Sequence, residues 1–169
     1  MTAAVRLPKL ALDEAIQQAV TTAVVEILRD TFSIKVELVK FWKTRKYVSV
    51  GDVSGTVGLI QKRLEGNLVV TFRRDVLSNI LARVYGHEFN EVDDLMKEGA
   101  AELTNMIYGK IKLQLSNRGY EFEITLPNVI AGNNHNINQG VTLESGVFAF
   151  KFDKYTFEVV LTVNGDQSE

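Results

Sequence analysis

The sequence has the size and composition of one globular domain. Its 169 residues are 46% hydrophobic and 24% charged, which excludes a disordered or fibrous chain. A net charge of -2, without basic runs, gives no indication of a nucleic-acid or membrane-surface partner. Cysteine is absent, which excludes disulfides, thiolate metal sites and cysteine nucleophiles. We predict a single domain over residues 1–169, with its core at about 10–164.

The beginning of the chain does not have the pattern of a signal peptide. Its first apolar stretch is interrupted by Arg6, Pro8 and Lys9, and no later run is long enough to span a membrane. We therefore expect a soluble, cytoplasmic protein.

The first predicted elements are a helix and a series of strands. Apolar residues recur at helical spacing from Leu12 to Thr31. From Ser33 onward apolar and polar residues alternate, which is typical of half-buried strands. Glu65 to Asn67 has the composition of a turn. We predict strands over residues 34–39, 46–50, 53–62 and 67–72.

Two helices and further strands follow. The spacing predicts a helix over Arg74 to Tyr85, with Gly86 as its left-handed cap, and a longer helix from Asp94 to about Asn117. The order of helix, strands, two helices and strands indicates an α+β fold, with a mainly antiparallel sheet covered by long helices. In this second half we predict strands over residues 120–126, 141–152 and 155–163, and a loop over residues 131–140.

A polar stripe runs along the longer helix. Glu98, Glu102, Asn105 and Gly109 are spaced four, three and four residues apart, so they fall within a sector of roughly 60°. A carboxylate and a carboxamide are thereby held one turn apart on a rigid element. We predict that the neighbouring sector faces the core, through Leu95, Gly99, Leu103, Met106, Ile107 and Leu113.

Such a stripe has two interpretations. Most polar stripes on amphipathic helices are solvated faces without a function. Asn105 is nevertheless a poor helix former at a mid-helix position, and Gly109 costs roughly 1 kcal/mol relative to Ala. Two unfavourable residues on one stripe favour the second interpretation, a surface that another molecule approaches closely.

The residue types on the stripe limit its chemistry. The sequence has no phosphate-binding glycine loop and no zinc-protease or serine-hydrolase motif, and His87 and His135 lack partners at metal-ligand spacing. Glu98 and Glu102 could form an acid and base pair, but the sequence shows no environment that would tune them for that role. An amide such as that of Asn105 does not titrate near neutrality. It can orient a water molecule for attack on a phosphoryl group that the substrate brings together with its metal.

The motif as a whole resembles a known family. The run ExxxExxNMIxGxxK from Glu98 to Lys112 is similar to the active-site helix of the CheC, CheX and FliY family of chemotaxis phosphatases. The stretches EGNLVVTF and LSNRGYEFEITLPNVIAG are similar to its CheX branch, and the resemblance is good from about Val53 to Gly132. It implies a pseudo-symmetric α+β fold with one active site.

The resemblance also implies a function. The expected protein is a phosphatase that hydrolyses the phosphoaspartate of a CheY-like response regulator in two-component signalling. Asn105 would orient the attacking water, Glu102 would pair with a lysine of the receiver domain, and the partner would be contacted by Glu98, Gly109 and Lys112. The chain itself would bind no cofactor, because Mg²⁺ would be held by the receiver. Glu98 departs from the family, which usually has Asp or Ser at that position.

Further expectations follow from the resemblance. The alternative to an enzyme is a non-catalytic module of the same fold that binds a receiver or another signalling partner. A homodimer is expected, because CheX is a dimer and the strands between Val141 and Val163 are of a kind that pairs across interfaces. Glu14, Gln18 and Thr21 of the first helix repeat the spacing of the motif, and would be a degenerate first copy.

Overall fold

The computed structural model describes residues 12–61, 64–123, 125–132 and 144–165. Three helices and six strands occupy these residues. The helices are α1 (Glu14–Phe32), α2 (Arg74–Tyr85) and α3 (Asp94–Ser116); the strands are β1 (Glu37–Thr44), β2 (Val53–Gln61), β3 (Leu64–Phe72), β4 (Asn128–Ala131), β5 (Glu144–Phe152) and β6 (Tyr155–Gly165).

The six strands form one antiparallel sheet. Their order across the sheet is β1-β5-β6-β3-β2-β4. Strands β2 and β3 pair with each other, as do β5 and β6, while β1 pairs with β5 and β4 with β2. The two edges of this sheet therefore belong to β1 and β4.

One face of the sheet packs against the helices. Along each strand every second residue points to this face, as the period of a pleated strand requires. Val57, Leu68 and Leu161 lie side by side on β2, β3 and β6 and are buried. These residues and the apolar faces of the three helices form one continuous core.

The opposite face is covered at its centre by the connection between β1 and β2. This connection, residues 45–52, passes over β5, β6 and β3 to reach the position of β2, and we call it the crossing segment. Beneath it, Val69, Val147 and Val160 form a buried row across three strands, against which Trp42 and Tyr47 pack. The centre of the sheet is thus buried on both faces.

Hydrogen bonds attach the crossing segment to the rest of the fold. The Tyr47 hydroxyl donates to Oε1 of Glu158 on β6, at 2.9 Å. The Asp52 carboxylate accepts a hydrogen bond of 2.7 Å from the backbone N–H of Arg74, in the first turn of α2. The N-cap residue of α2 makes no side-chain capping bond of its own. The bond from Arg74 to Asp52 therefore takes the place of a cap at this end of the helix.

The sheet contains an internal two-fold repeat. Exchanging β1 with β4, β2 with β5 and β3 with β6 turns the strand order into its reverse. The β5–β6 hairpin repeats the β2–β3 hairpin, because β5 and β6 begin 91 residues after β2 and β3 respectively. Helices α1 and α3, which precede the two sets of strands, pack against each other. The pseudo-symmetric α+β fold is confirmed.

The helices lie within two residues of their predicted bounds, but several strand predictions are wrong. Residues 46–50 are not a strand, because they cross over the sheet instead of pairing within it. The first strand begins at Glu37 and not at residue 34 as predicted. Ile34 and Val36, which precede it, are buried in the core. The stretch from Glu65 to Asn67 is not a turn, since it lies inside β3 and pairs with both neighbouring strands.

The region after α3 also differs from the prediction. Residues 120–123 and 125–127 form no strand, and the short strand β4 follows them instead. The start predicted for the next strand, most of the predicted 131–140 loop, and His135 lie outside the described residues. Within the described part of the chain, the helices are too short or too polar to cross a bilayer.

Candidate functional site

The polar stripe lies on α3, and both ends of this helix are fixed. The Asp93 side chain caps the first turn by accepting a hydrogen bond of 2.8 Å from the N–H of Met96. Beyond the last turn, Gly119 adopts a φ of 90°, and the N–H of Tyr120 donates to the carbonyl of Leu115 at 3.2 Å. Side-chain directions along α3 are therefore set by a regular helix.

The buried sector of α3 agrees with the predicted one only in part, since Gly99, Leu103 and Ile107 are buried as predicted. It is centred almost opposite the polar stripe, whereas the predicted sector lay beside the stripe. Leu113, which was predicted to face the core, is 60% exposed. The prediction failed because small and polar residues carry part of the core face: Thr104 is fully buried, and its hydroxyl donates to the carbonyl of Ala100 at 2.7 Å. The buried residues are Met96, Gly99, Ala100, Leu103, Thr104, Ile107, Tyr108, Ile111 and Leu115.

This orientation directs the stripe away from the sheet. Glu98, Glu102, Asn105 and Gly109 are exposed, and Lys112 is half-buried. The side chains of Glu102 and Asn105 make no hydrogen bond or ion pair with another residue that the structure describes. Apart from the backbone of the helix itself and the two neighbouring residues, no atom lies within 4 Å of the position that a Cβ on Gly109 would occupy. The structure brings all five predicted residues onto one accessible helix face.

Two glycines allow α3 to pack closely against its neighbours. A Cβ on Gly55 of β2 would lie 2.7 Å from the Cβ of Thr104. A Cβ on Gly99 would lie 2.6 Å from Cδ1 of Leu81 on α2. Real Cβ atoms do not approach other atoms this closely. The contact at Gly55 therefore requires glycine, whereas a Cβ on Gly99 would require the end of the Leu81 side chain to move. The helix that carries the stripe is therefore held against both β2 and α2.

An ion pair joins α3 to α1. Nζ of Lys110 lies 2.8 Å from Oε2 of Glu26, and both side chains are about one-third exposed. The two residues are equivalent in the internal repeat, because Lys110 follows Glu26 by the same 84 residues that separate Glu98 from Glu14. Equivalent residues can contact each other only near the symmetry axis. The pseudo-two-fold axis therefore passes close to this ion pair.

Helix α1 presents a different surface at the equivalent positions. Thr21 stands where α3 has Asn105, and its hydroxyl donates at 2.8 Å to a carbonyl in the preceding turn. Val25 stands where α3 has Gly109, and it packs against the core. Of the two related helices, α3 therefore carries the amide and the glycine with open space around it, and α1 carries neither at the equivalent positions.

After α3 the chain returns along the side of the helix. The Tyr108 hydroxyl donates to the carbonyl of Glu123 at 2.8 Å, and the Thr125 hydroxyl donates to the carbonyl of Gly58 at the same distance. Burial raises the pKa of Tyr108 above its ordinary value, and a hydrogen bond with the Thr125 side chain opposes that rise. Leu126, which follows, is 84% exposed. The strand predicted over residues 120–126 gave no indication that this residue is exposed.

His87 is the histidine that lies within the described part of the chain, and it belongs to no metal-binding cluster there. His87 is exposed, its Nδ1 lies 3.1 Å from the carbonyl oxygen of Glu88, and its ring lies beside that of Phe89. No group of three or more His, Asp or Glu residues with metal-binding geometry occurs among the described residues. The environment of His87 is that of a surface histidine, as predicted.

Comparison with known proteins finds related sequences. The model of the family described as chemotaxis phosphatase CheX matches residues 53–151. The CheY-P phosphatase CheX of Thermotoga maritima is 28% identical over 156 residues, which make up 91% of this chain and 100% of the relative.

Solved structures share the architecture. A CheC-like superfamily protein from Shewanella sp. PV-4 is 24% identical with a TM-score of 0.84, over 91% of this chain and 100% of that chain. A chain of the CheX–CheY–BeF₃–Mg²⁺ complex from Borrelia burgdorferi is 25% identical with a TM-score of 0.71, over 91% of this chain and 99% of that chain. The family model matches more than half of the sequence, and the helix with the Glu and Asn motif lies inside the matched range. The chain belongs to the CheX family of chemotaxis phosphatases.

Proposed function

We propose that this protein is a phosphatase that hydrolyses the phosphoaspartate of a CheY-like response regulator. Membership of the CheX family supports this class of activity, and the Thermotoga maritima relative is named a CheY-P phosphatase. The observation that carries the proposal is the joint exposure of Glu102 and Asn105 on the outer face of α3. Side chains buried in the core, or bonded within this chain, would not be available to a second protein.

In this proposal Asn105 acts by position and not by titration. Its amide oxygen accepts a hydrogen bond from a water molecule, and its amide nitrogen donates one, so the water is oriented toward the phosphorus atom. A phosphoaspartate is already a reactive acyl phosphate, and the metal ion that neutralises its charge is expected on the receiver. What this chain has to supply is the position of the nucleophile.

Glu102 fixes the register between the two proteins. It pairs with the receiver lysine, while Asn105 enters the receiver active site from the adjacent helical turn. Because both side chains project from one helix, the distance between the ion pair and the water is set before the partner binds. No adjustment of a loop in this chain is required.

The other residues of the stripe contact the receiver. Gly109 has open space around its Cα, so the receiver backbone can approach α3 there without meeting a side chain. Lys112 places a positive charge at the end of the stripe opposite to Glu98. The longer side chain of Glu98, in place of the usual Asp or Ser, alters the docking contact and leaves the position of Asn105 unchanged.

The experiment is the decay of a phosphorylated CheY-like receiver from the same genome, measured with and without this protein. We expect the wild type to accelerate the decay, and Asn105→Ala to lose roughly 100-fold of that acceleration while still binding the receiver. Glu102→Lys sets a cation against the receiver lysine and should weaken binding. Helix α1 provides matched controls, since Thr21→Ala and Gln18→Lys make similar changes at the equivalent positions and should leave both quantities unaltered.

Three results would contradict the assignment. Undiminished turnover by Asn105→Ala would rule out water orientation by its amide. Unchanged binding by Glu102→Lys would remove its pairing with the lysine. Binding of the phosphorylated receiver without any acceleration would favour a non-catalytic receiver-binding module, which is the alternative suggested by the unusual Glu98.

We further propose that the protein acts in the cytoplasm, where response regulators are found, and that it forms a homodimer. The dimer cannot form through the edges of the strands between Val141 and Val163, as was predicted. Strands β5 and β6 each pair on both sides within the sheet, so neither offers a free edge. Among the strands that the structure describes, edge pairing between two copies would have to use β1 or β4.

A further inference from the structure

We propose that two exposed leucines, Leu113 and Leu126, are the apolar contacts of the surface that docks the receiver domain. Leu113 lies at one end of the polar stripe, and Leu126 lies along its flank. The inference rests on the proposed function, and adds to the polar motif the residues that supply affinity.

Leu113 belongs to the outer face of α3. It follows Gly109 by one helical turn and is 60% exposed. The residues on either side of it that serve the core, Ile111 and Leu115, are almost completely buried. The helix therefore does not need Leu113 for its packing, and the side chain is free to contact another molecule.

Leu126 lies in a segment that is attached at both ends. On one side, Glu123 accepts the hydrogen bond from Tyr108 of α3 at 2.8 Å. On the other side, Val129 of β4 is paired with Gly55 of β2. Between these attachments Leu126 is 84% exposed, the largest exposure of any large hydrophobic residue in the described part of the chain.

The same attachments place Leu126 beside the catalytic turn. Gly55 packs against Thr104, the residue immediately before Asn105. Tyr108 follows Asn105 by three residues. The segment that contains Leu126 therefore runs past the turn of α3 from which Asn105 projects.

The two leucines and the stripe have complementary roles. Charges and amides at an interface set register and specificity, while their desolvation cancels much of the affinity that they would give. Apolar side chains that become buried on binding supply affinity, and they act best next to a polar rim. Open space at Gly109 lies between Leu113 and Asn105, and the segment that contains Leu126 flanks the turn that carries Asn105, so one partner surface can cover all of them.

The occupant that fits this surface is the receiver domain and not a second copy of this chain. Both leucines border the motif that is proposed to enter the receiver active site, so a copy bound there would block the substrate. The opposite face of the sheet has exposed apolar residues of its own. Val48 and Val50 of the crossing segment are 66% and 67% exposed, and they lie far from the motif, which makes them a matched control.

The test compares Leu113→Ser, Leu126→Ser and the double variant with Val48→Ser/Val50→Ser. Two quantities are measured: the Kd for a CheY-like receiver loaded with Mg²⁺ and beryllofluoride, and the steady-state kcat and KM for the phosphorylated receiver. We expect the leucine double variant to raise Kd and KM roughly tenfold with kcat within about twofold of the wild type. The valine variant should match the wild type in all three, and the mass of each variant in solution is measured by light scattering.

Each outcome has a defined meaning. A leucine double variant that binds the receiver as tightly as the wild type overturns this inference and leaves the proposed function intact. A wild type that neither binds nor dephosphorylates the receiver overturns the proposed function itself. A leucine variant that changes the mass in solution, with the Kd for the receiver unchanged, assigns the leucines to contact between copies and also overturns the inference.

Discussion

Gly55 and Gly109, two glycines of the candidate site, differ in whether packing within this chain requires a glycine. Gly55 is required by packing, because a Cβ there would overlap the buried side chain of Thr104. Gly109 is not required by packing, because a Cβ there would meet nothing in this chain. Glycine in the middle of a helix lowers stability by roughly 0.5–1 kcal/mol relative to Ala. The presence of Gly109 therefore needs a reason outside the folded monomer.

Replacing each glycine by alanine separates stability from activity. We expect Gly109→Ala to stabilise the fold by about 0.5–1 kcal/mol, or roughly 1–4 °C in Tm, and to raise the KM for the phosphorylated receiver. Gly55→Ala should destabilise the fold by about 1–3 kcal/mol through overpacking. Thermal unfolding and receiver dephosphorylation measure the two effects.

The two variants control for each other. Gly55→Ala should lower the unfolding temperature and Gly109→Ala should raise it, so a higher KM in Gly109→Ala cannot result from a loss of stability. An unchanged KM in Gly109→Ala would contradict close approach of the receiver at this point, and would return the stripe to the interpretation of a solvated face.

At the scale of elements, the crossing segment is attached to the sheet through the carboxyl group of Glu158, which is partly removed from water. Burial raises the pKa of Glu158 above its ordinary value of 4.5, and the hydrogen bond from Tyr47 opposes that rise. The folded protein therefore holds the Glu158 proton more tightly than the unfolded chain does. By linkage, the contribution of Glu158 to stability is greatest below pH 4.5 and is lost as the pH rises through the folded-state pKa.

Replacing Glu158 by glutamine should remove this dependence. The amide keeps an oxygen that accepts from the Tyr47 hydroxyl, and it has no charge to desolvate. We expect the difference in Tm between Glu158→Gln and wild type to become more positive between pH 4 and pH 7. Thermal unfolding at several pH values measures it.

Tyr47→Phe tests the same contact from the other side. It removes the hydrogen bond that stabilises the carboxylate, so the loss of stability with rising pH should be steeper than in the wild type. The crossing segment lies on the face of the sheet opposite to α3, and receiver dephosphorylation should stay unchanged. A Glu158→Gln variant whose Tm difference is independent of pH would show that the carboxyl is not perturbed.

Local sequence patterns predicted some elements well and others poorly. The three helices are amphipathic over several turns, so their period is visible without knowledge of their partners. The crossing segment and β4 were missed because their conformation depends on which strands lie beneath or beside them. Gly66 was read as part of a turn, yet it lies in β3, where a Cβ would come within 2.6 Å of the carbonyl oxygen of Thr162. That close approach between strands has no signal in the local sequence.

The exposed face of α3 was predictable from the sequence only in part. The spacing placed Glu102 and Asn105 on one face, and the family resemblance gave them roles. The buried sector was misplaced because Thr104 and Ala100 contribute to the core without being strongly hydrophobic. That error hid the exposure of Leu113, and the wrong strand assignment hid that of Leu126. Both are consequences of tertiary packing, which sequence periodicity does not report.

At the scale of the whole molecule, the two sheet edges differ in how well they resist pairing. The edge strand β1 has a register irregularity between Leu38 and Lys40, and it exposes Lys40 and Lys43. Bulges and lysines of this kind protect an edge from pairing with another chain. The four residues of β4 contain no charged side chain, and Ile130 is 36% exposed. If two copies pair through an edge, β4 is the less protected one.

We therefore expect the homodimer to be sensitive to a charge on β4. Light scattering should give twice the chain mass for the wild type and the single-chain mass for Ile130→Lys, because two lysines would face each other across the interface. Val39→Lys on β1 is the matched control and should remain dimeric. A wild type of single-chain mass, or an Ile130→Lys dimer, would argue against this arrangement.

The exchange of strands between the two halves of the sheet also has a consequence for folding during synthesis. Glu37 of β1 is paired with Lys151, in a strand of the second half, and β4 of the second half has its partner in β2. When the first helices and strands leave the ribosome, β1 has no complementary strand to join. Such distant pairings make folding slow relative to chains with local contacts. The first half thus emerges with an unsatisfied edge, and only the last hairpin of the chain completes it.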